Sequence, residues 1–462
     1  MSAVRLLWAP HPFRAGLCIT DDTDAATLDG VRQVYGFLGS IGLKASKTVW
    51  AFTPSEPCGI PALPDSMLRG ITLEDTGYLA YCEALAARGF EICLHGASAG
   101  NNRRERTERA LSMVAERFGR AGTFICHSKN AENPYWHEKV APRGPAQWLL
   151  APASRYRCSG EVPSSPYFWG DLCLEHVAHI RLFRTRNVNT LAENPSMPYH
   201  DPEKPFVRSW FAATKRSFVD CASEAGIAQL RAEHGLCVLY QYMHRWADPE
   251  SGGVRAEFRA AAERLMAAGD IWVETASRVM ERLRQVHAVF IAQQGERLWL
   301  CNAGSAEVRD LQLALPAATR VEAAGATRSA SGVLHVPSLP AGAMLAVRAL
   351  APVAVEGDRV VALDASLRGS VRFAWGEVAI NAGTAPWTRH GGVLAPGSVA
   401  VSRDARFERA RSFSAASAAE RYRMLIGQLA IIGHEVAFKG RSLDSRKFLG
   451  AETITLEDHA NW

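Results

Sequence analysis

The sequence predicts an α/β protein: a barrel-like domain of alternating strands and helices, followed by a β-rich, sandwich-like C-terminal region. Three observations predict it. Four short apolar runs end in Asp or His: Leu17-Cys18-Ile19-Thr20 leads into Asp21-Asp22, Ile92-Cys93-Leu94 into His95, Phe124-Ile125-Cys126 into His127, and Val238-Leu239-Tyr240-Gln241-Tyr242-Met243 into His244. Stretches with helical apolar periodicity stand between these runs. From Val289 onward the pattern changes to short β-like runs separated by Gly, Pro and Asp turns. In α/β barrels the carboxyl ends of the strands meet on one face, where the chemistry sits. Four such ends would bring carboxylates and imidazoles to one pocket.

Ala15 to Asp24 forms the first strand and its loop. Asp21 and Asp22 sit at the carboxyl end, and carboxylates this close repel unless a cation or basic group is near. The stretch is therefore the seed of a metal site, or else a capped turn leading into a helix near Ala25. A helix is expected over about Ala26–Ser40, with Leu28, Val31, Val34, Tyr35 and Leu38 on its apolar stripe. Ala45–Phe52 reads as the second strand, Thr53–Ser66 as a rim loop, and Tyr78–Arg88 as a helix ended by Gly89. The loop Gly96-Ala97-Ser98-Ala99-Gly100 after His95 either offers backbone N–H groups to an anion or is a plain connection. Arg103–Phe118 follows as a helix. Its Arg103, Arg104 and Arg106 stand at the pocket rim or in a surface salt-bridge face with Glu105 and Glu108.

The stretch after His127, Ser128 to His137, is dense in hydrogen-bonding groups and carries two aromatics. Lys129, Asn130 and Trp136 are its candidate substrate contacts. Residues 141–215 are rich in proline and lack long periodic segments, as a substrate-binding wall would. There Trp169 and Tyr199 could stack on a sugar ring, with the core as the other place for a tryptophan. Arg184 or Arg186 could hold a phosphate or carboxylate. Phe206–Ala225 and Ile227–Glu233 read as helices, and Trp246 walls the pocket beside His244. A helix through Val254, Phe258, Ala261 and Leu265, a strand at Ile271–Val273 and a helix over Thr275–Val286 complete the barrel domain, residues 1–287. Residues 288–350 form a small β-sandwich domain. Residues 351–462 form a further β-rich domain or an extension of the sandwich, with a helix over Ala415–Ile432 and a last strand at His434–Phe438.

A chain of 462 residues with a formal charge of +5 is ordinary for a globular protein and too weakly basic to suggest nucleic acid. No segment is long and apolar enough to span a bilayer, and Met1 to Pro12 is not a signal peptide. The ten cysteines form no CxxC pair and several lie in apolar runs, which suits free thiols in a reducing, cytoplasmic setting. A homo-oligomer is left open.

Asp21-Asp22 after a strand, Gly89-Phe90-Glu91-Ile92-Cys93-Leu94-His95, and His244 after a late apolar strand together resemble the motifs of the NodB-type polysaccharide deacetylases, over about residues 10–285. The resemblance implies a distorted (β/α) barrel and a metal-dependent carbohydrate esterase. It implies Asp21 as general base, Asp22 and His95 as metal ligands, and His244 as general acid. The family's second metal-binding His falls on Ala99, a departure, and its Arg-bearing third motif falls near His127, Lys129 and Asn130. Zinc and related ions take three protein ligands and leave a position for water. Asp22, His95 and His127 would supply them, with His137, His176 and His179 as rivals of His127. The expected reaction is metal-dependent removal of an acyl group, most simply N-acetyl, from an amino sugar. The substrate would be a nucleotide sugar or lipid-linked glycan in surface-polysaccharide metabolism, such as O-antigen or capsule, and one Zn2+ the cofactor. The alternatives are a hydrolase for another small amide, or a sugar-binding protein on an altered deacetylase scaffold.

Overall fold

The computed structural model describes residues 3–58, 70–119, 122–127, 130–136, 158–316, 321–323, 325–329, 332–349, 354–355, 357, 359–389, 392–408 and 413–431. They divide into two compact units. One comprises residues 16–279 with the described residues from Ala416 on; the other comprises the segment up to Ala15 with Met280–Ala415.

The first unit is a closed barrel of seven parallel strands: β1 (Ala15–Asp21), β2 (Ser46–Val49), β3 (Glu91–Leu94), β4 (Thr123–Ile125), β5 (His179–Thr185), β6 (Trp210–Thr214) and β7 (Leu236–Gln241). The barrel closes where β7 returns to β1, in register from Gly16 opposite Leu236 to Asp21 opposite Gln241. Strand β2 pairs with β1 only at Thr20 and Asp21. The edge of β1 below them is taken by β8 (Ile271–Val273), where Glu274 N donates to Leu17 O at 3.3 Å. Such a closure is that of a distorted (β/α) barrel. Every residue of β1 is buried, because helices cover one face of the strand and the barrel interior the other.

The helices follow from caps and stripes. Helix α1 (Leu28–Ser40) starts at Thr27, whose side chain accepts from Gly30 N at 3.2 Å. It buries Val31, Val34, Tyr35 and Leu38, one face of a 3.6-residue period. Helix α2 (Thr76–Ala87) starts at Asp75, which accepts from Tyr78 N at 2.8 Å. Helix α3 (Arg104–Phe118) buries Thr107, Ala110, Leu111 and Val114.

Two elements differ from the sequence expectation. The helix expected over Phe206–Ala225 is instead the strand β6 followed by a short helix, Phe218–Cys221, capped by Ser217. Trp210–Thr214 is buried at every position, and a fully buried strand shows no alternation to set it apart from a helix. The stretch 141–215, expected to hold no long element, contains β5. Its apolar pattern is broken by Arg181 and Arg184, whose guanidinium groups lie over the ring of Tyr240 at 4.3 and 4.8 Å. The expected strand at His434–Phe438 lies outside the described residues.

The second unit is β-rich. A four-stranded sheet joins Arg5–Leu7, Val308–Ala314, Val333–Leu339 and Thr327–Arg328. A five-stranded sheet runs Val321–Glu322, Met344–Ala349, Arg297–Asn302, Val289–Gln294 and Val360–Ala362. A three-stranded sheet holds Arg368–Phe373, Gly376–Asn381 and Ser398–Arg403. Phe290, Cys301, Val361, Trp375, Val378, Ile380 and Phe413 share one core, so residues on both sides of position 350 pack together. No described helix is long and apolar enough to cross a membrane.

Candidate metal centre

The end of β1 decides the site. Successive side chains of a strand point to opposite faces, so Thr20 falls on one side and Asp21 on the other; the strand ends there, and Asp22 to Asp24 follow in the turn toward α1. Asp21 faces α1. Its Oδ2 accepts from Tyr35 Oη at 2.7 Å and lies 3.1 Å from Lys47 Nζ, and its Oδ1 accepts from Met243 N at 2.7 Å. Asp21 and Lys47 are both fully buried. Burial pushes the Asp21 carboxyl up, and Lys47 with the hydrogen bonds only partly offsets this.

Asp22 faces the opposite way. Its Oδ2 accepts from Arg181 Nη2 at 2.8 Å, and the same guanidinium donates to Thr20 Oγ1 at 2.8 Å. Asp24 lies beside the histidines: its Oδ1 is 3.2 Å from His95 Nε2 and 3.7 Å from His127 Nε2. Burial pushes the Asp24 carboxyl up, but His127 and His95 outweigh it and hold the carboxyl well below the usual range. Burial likewise pushes the His95 imidazole down, and Asp22 and Asp24 outweigh that, leaving it raised. His127 stays lowered, because burial exceeds the attraction of Asp24.

Asp24, His95 and His127 each offer one ligand atom, and these atoms lie within 4.8 Å of one another. The carboxylate that converges with the two imidazoles is Asp24, where Asp22 is the ligand expected from the sequence; Asp22 Oδ2 stands 3.6 Å from His95 Nε2, at the edge of the group. The chain turns just past the end of β1, which brings the Asp24 carboxylate to the two imidazoles and leaves Asp22 to the Arg181 guanidinium. Strands β3 and β4 aim the two rings. His95 Nδ1 is 2.9 Å from Ile125 O, a bond that needs the proton on Nδ1 and leaves Nε2 to face Asp24. Trp50 walls the pair: its Nε1 donates to His95 O at 3.2 Å, and its ring lies near-parallel to that of His95.

Among the described residues, Asp22 Oδ1, Asp24 Oδ1, His127 Nε2 and His244 Nδ1 are buried side-chain atoms without a hydrogen-bond partner. Buried polar atoms are ordinarily satisfied; others elsewhere in the protein share this state, but Asp24 Oδ1 and His127 Nε2 stand 3.7 Å apart in the Asp–His–His group. One carboxylate and two imidazoles suit a divalent cation of the zinc, cobalt or nickel kind, so these residues fit a metal ion. His244 follows β7, and burial pushes its imidazole down to about 3, so it rests neutral.

The other expected contacts fall in several places. Asn130 is fully buried directly behind His127. Arg184 lies at the carboxyl end of β5 over Tyr240, and Trp246 stacks on Phe258 at 5.4 Å. Trp136 is half-buried. Trp169 is a core residue: it is fully buried, packs on Phe124 at 4.8 Å and donates from Nε1 to Glu132 O at 2.6 Å. Tyr199 is buried too, exchanging backbone hydrogen bonds with Trp210. Neither presents an open ring face to a sugar. His176 lines a small cavity with Leu94, Leu111 and Val114. His179 opens β5 at the end of the barrel away from the cluster and pairs with Ser209 Oγ at 2.6 Å. Lys129 and His137 lie outside the described residues. Rim arginines bind neighbouring loops: Arg103 reaches Glu56 at 2.7 Å, and Arg104 grips Asp171 through two bonds of 2.7 and 2.8 Å.

The sequence reading passed over Asp24, Arg181 and Glu132. Asp24 lies in the turn beyond β1, where strand periodicity gives no signal; Arg181 follows from reading His179–Thr185 as a strand with an inward arginine.

No family model matches the sequence, and no curated protein matches it. Among solved structures, Puue allantoinase aligns at 11% identity and a TM-score of 0.32, covering 59% of this chain and 91% of that one. A probable polysaccharide deacetylase from Pseudomonas aeruginosa PAO1 aligns at 10% identity and a TM-score of 0.31, covering 58% and 91%.

Proposed function

We propose that the chain is a metal-dependent hydrolase that removes an acyl group, most simply N-acetyl, from an amino sugar. One observation carries the metal centre: Asp24 Oδ1, His95 Nε2 and His127 Nε2 converge within 4.8 Å. The acyl-amide and sugar parts rest on the sequence motifs. A bound divalent ion would supply Lewis acidity, lowering the pKa of water and polarising the amide carbonyl.

The chain's own residues do the rest. Asp22 is the general base: Arg181 holds Oδ2 and keeps the carboxylate oriented, while Oδ1 is left to take a proton from water. Asp21 is too fully engaged by Lys47, Tyr35 and Met243 for that role. His244 rests neutral, so it delivers a proton to the leaving nitrogen only after taking one up. Arg184 stands over Tyr240 and binds an anionic group such as a phosphate or carboxylate on the substrate. All ten cysteines are buried and outside any disulfide, which favours a reducing compartment and a nucleotide-sugar or lipid-linked precursor as substrate.

The deciding experiment is metal content with activity on acylated amino sugars. About one divalent ion per chain is expected, as for a three-ligand site with an open position, lost in Asp24→Ala and in His95→Ala. A protein that takes up no zinc, cobalt, nickel or manganese on reconstitution would sink the proposal. Arg184→Gln is expected to raise KM for a phosphorylated substrate about 10-fold or more with kcat little changed, the scale of one charge-assisted hydrogen bond. An unchanged KM would remove Arg184 from the binding site.

A further inference from the structure

Behind His127 stands a set of buried polar groups that the reaction itself does not touch. His127 Nδ1 lies 2.9 Å from Asn130 Oδ1. The other end of the Asn130 amide fixes its orientation. Its Nδ2 donates to Gly100 O at 2.8 Å, Ser98 O at 3.2 Å and Glu132 Oε1 at 2.9 Å. All three are acceptors, so that end is the NH2 group and the end at His127 is the carbonyl, which can only accept. His127 therefore carries its proton on Nδ1 and turns a bare Nε2 toward Asp24.

Glu132 sits at the root of this arrangement and is 1% exposed. Its Oε1 also accepts from Asn102 Nδ2 at 2.7 Å, and its Oε2 accepts from Asn102 N at 3.0 Å. Asn102 closes the loop that follows His95, and Asn130 belongs to the loop that follows His127. One carboxylate thus ties together the loops of both histidines. Its own backbone is held from behind by the Trp169 indole, and a Cβ on Gly160 would lie 1.9 Å from its carbonyl oxygen. Only a carboxylate accepts at both oxygens; an amide would turn an N–H toward one of the three donors.

We propose that Glu132 is a positioning residue that, through Asn130, fixes the tautomer of His127 and so keeps Nε2 ready as a metal ligand. The ligand role rests on the function proposed above; the tautomer does not, and it is read without metal. In metal-free protein labelled with nitrogen-15 histidine, wild-type His127 is expected to show a protonated Nδ1 and a bare Nε2. Glu132→Gln is expected to give mixed tautomers and to weaken zinc binding, measured by chelator competition, about 10–100-fold, the usual effect of losing a group that orients a ligand. A residue that only supports the fold would shift the thermal midpoint without moving the tautomer.

The proposal is overturned if His127 keeps its single tautomer in Glu132→Gln, or if zinc affinity there stays within about twofold of wild type. Should Glu132→Gln not fold, Asn130→Ala deletes the contact one step nearer the ring and must give mixed tautomers. A single Nδ1–H form in that variant overturns the proposal equally. A wild type with the expected tautomer that binds no zinc would instead refute the metal centre and leave the relay standing.

Discussion

Changing Asp22 to asparagine is expected to leave metal uptake intact and to lower kcat about 10²–10⁴-fold, the range lost with a general base. The two aspartates on this side of the strand end are separated by their partners. Asp24 has His95 and His127 within 3.7 Å of one oxygen, whereas Asp22 has Arg181 at 2.8 Å. An asparagine at position 22 can still accept the Arg181 bond through its carbonyl, so geometry survives while basicity is lost. The measurement is metal content and turnover on the same preparation, beside Asp24→Asn. Loss of metal from Asp22→Asn with retention in Asp24→Asn would reverse the two roles.

The second large effect concerns stability. Lys47→Met is expected to destabilise the fold by about 3–5 kcal/mol, because it leaves the Asp21 carboxylate buried without its cation. Both members of the pair are wholly inaccessible to solvent and 3.1 Å apart. Asp21 retains its bonds from Tyr35 and Met243 N, but neither carries a charge. Lys47→Met/Asp21→Asn removes both charges and is expected to recover most of the loss, since replacing a buried pair with neutral groups is often close to neutral. Denaturant unfolding of the metal-free variants gives the comparison. A single variant within about 1 kcal/mol of wild type, the worth of a surface pair, would mean that the ion pair does not hold this corner.

The strands that end in His95, His127 and His244 were legible because apolar runs bounded by polar residues leave few other readings. The closed barrel followed from them. Asp21 and Asp22 were legible as a special pair, but adjacency hid their division: one serves the packing of α1 and the other faces the histidines. Asp24 lacked any apolar context and read as loop. Arg181 was hidden because a charged residue inside a barrel strand breaks the very pattern by which strands are found, although Asp22 and Thr20 satisfy it in space. Trp169 shows the opposite failure. An aromatic in a polar, proline-rich stretch looks like a binding surface, yet its indole N–H supports the backbone of Glu132 from within the core.

Around the barrel, the Asp–His–His group comes from the ends of β1, β3 and β4, while Arg184, Tyr240 and His244 come from β5 and from the end of β7 with its following turn. The mouth is thereby split into two arcs with separate inheritance. Substitutions at Arg184 and Tyr240 in the second arc can retune which molecule is admitted without disturbing the donors of the first, so related chains that keep His244 could diverge in diet while keeping one reaction.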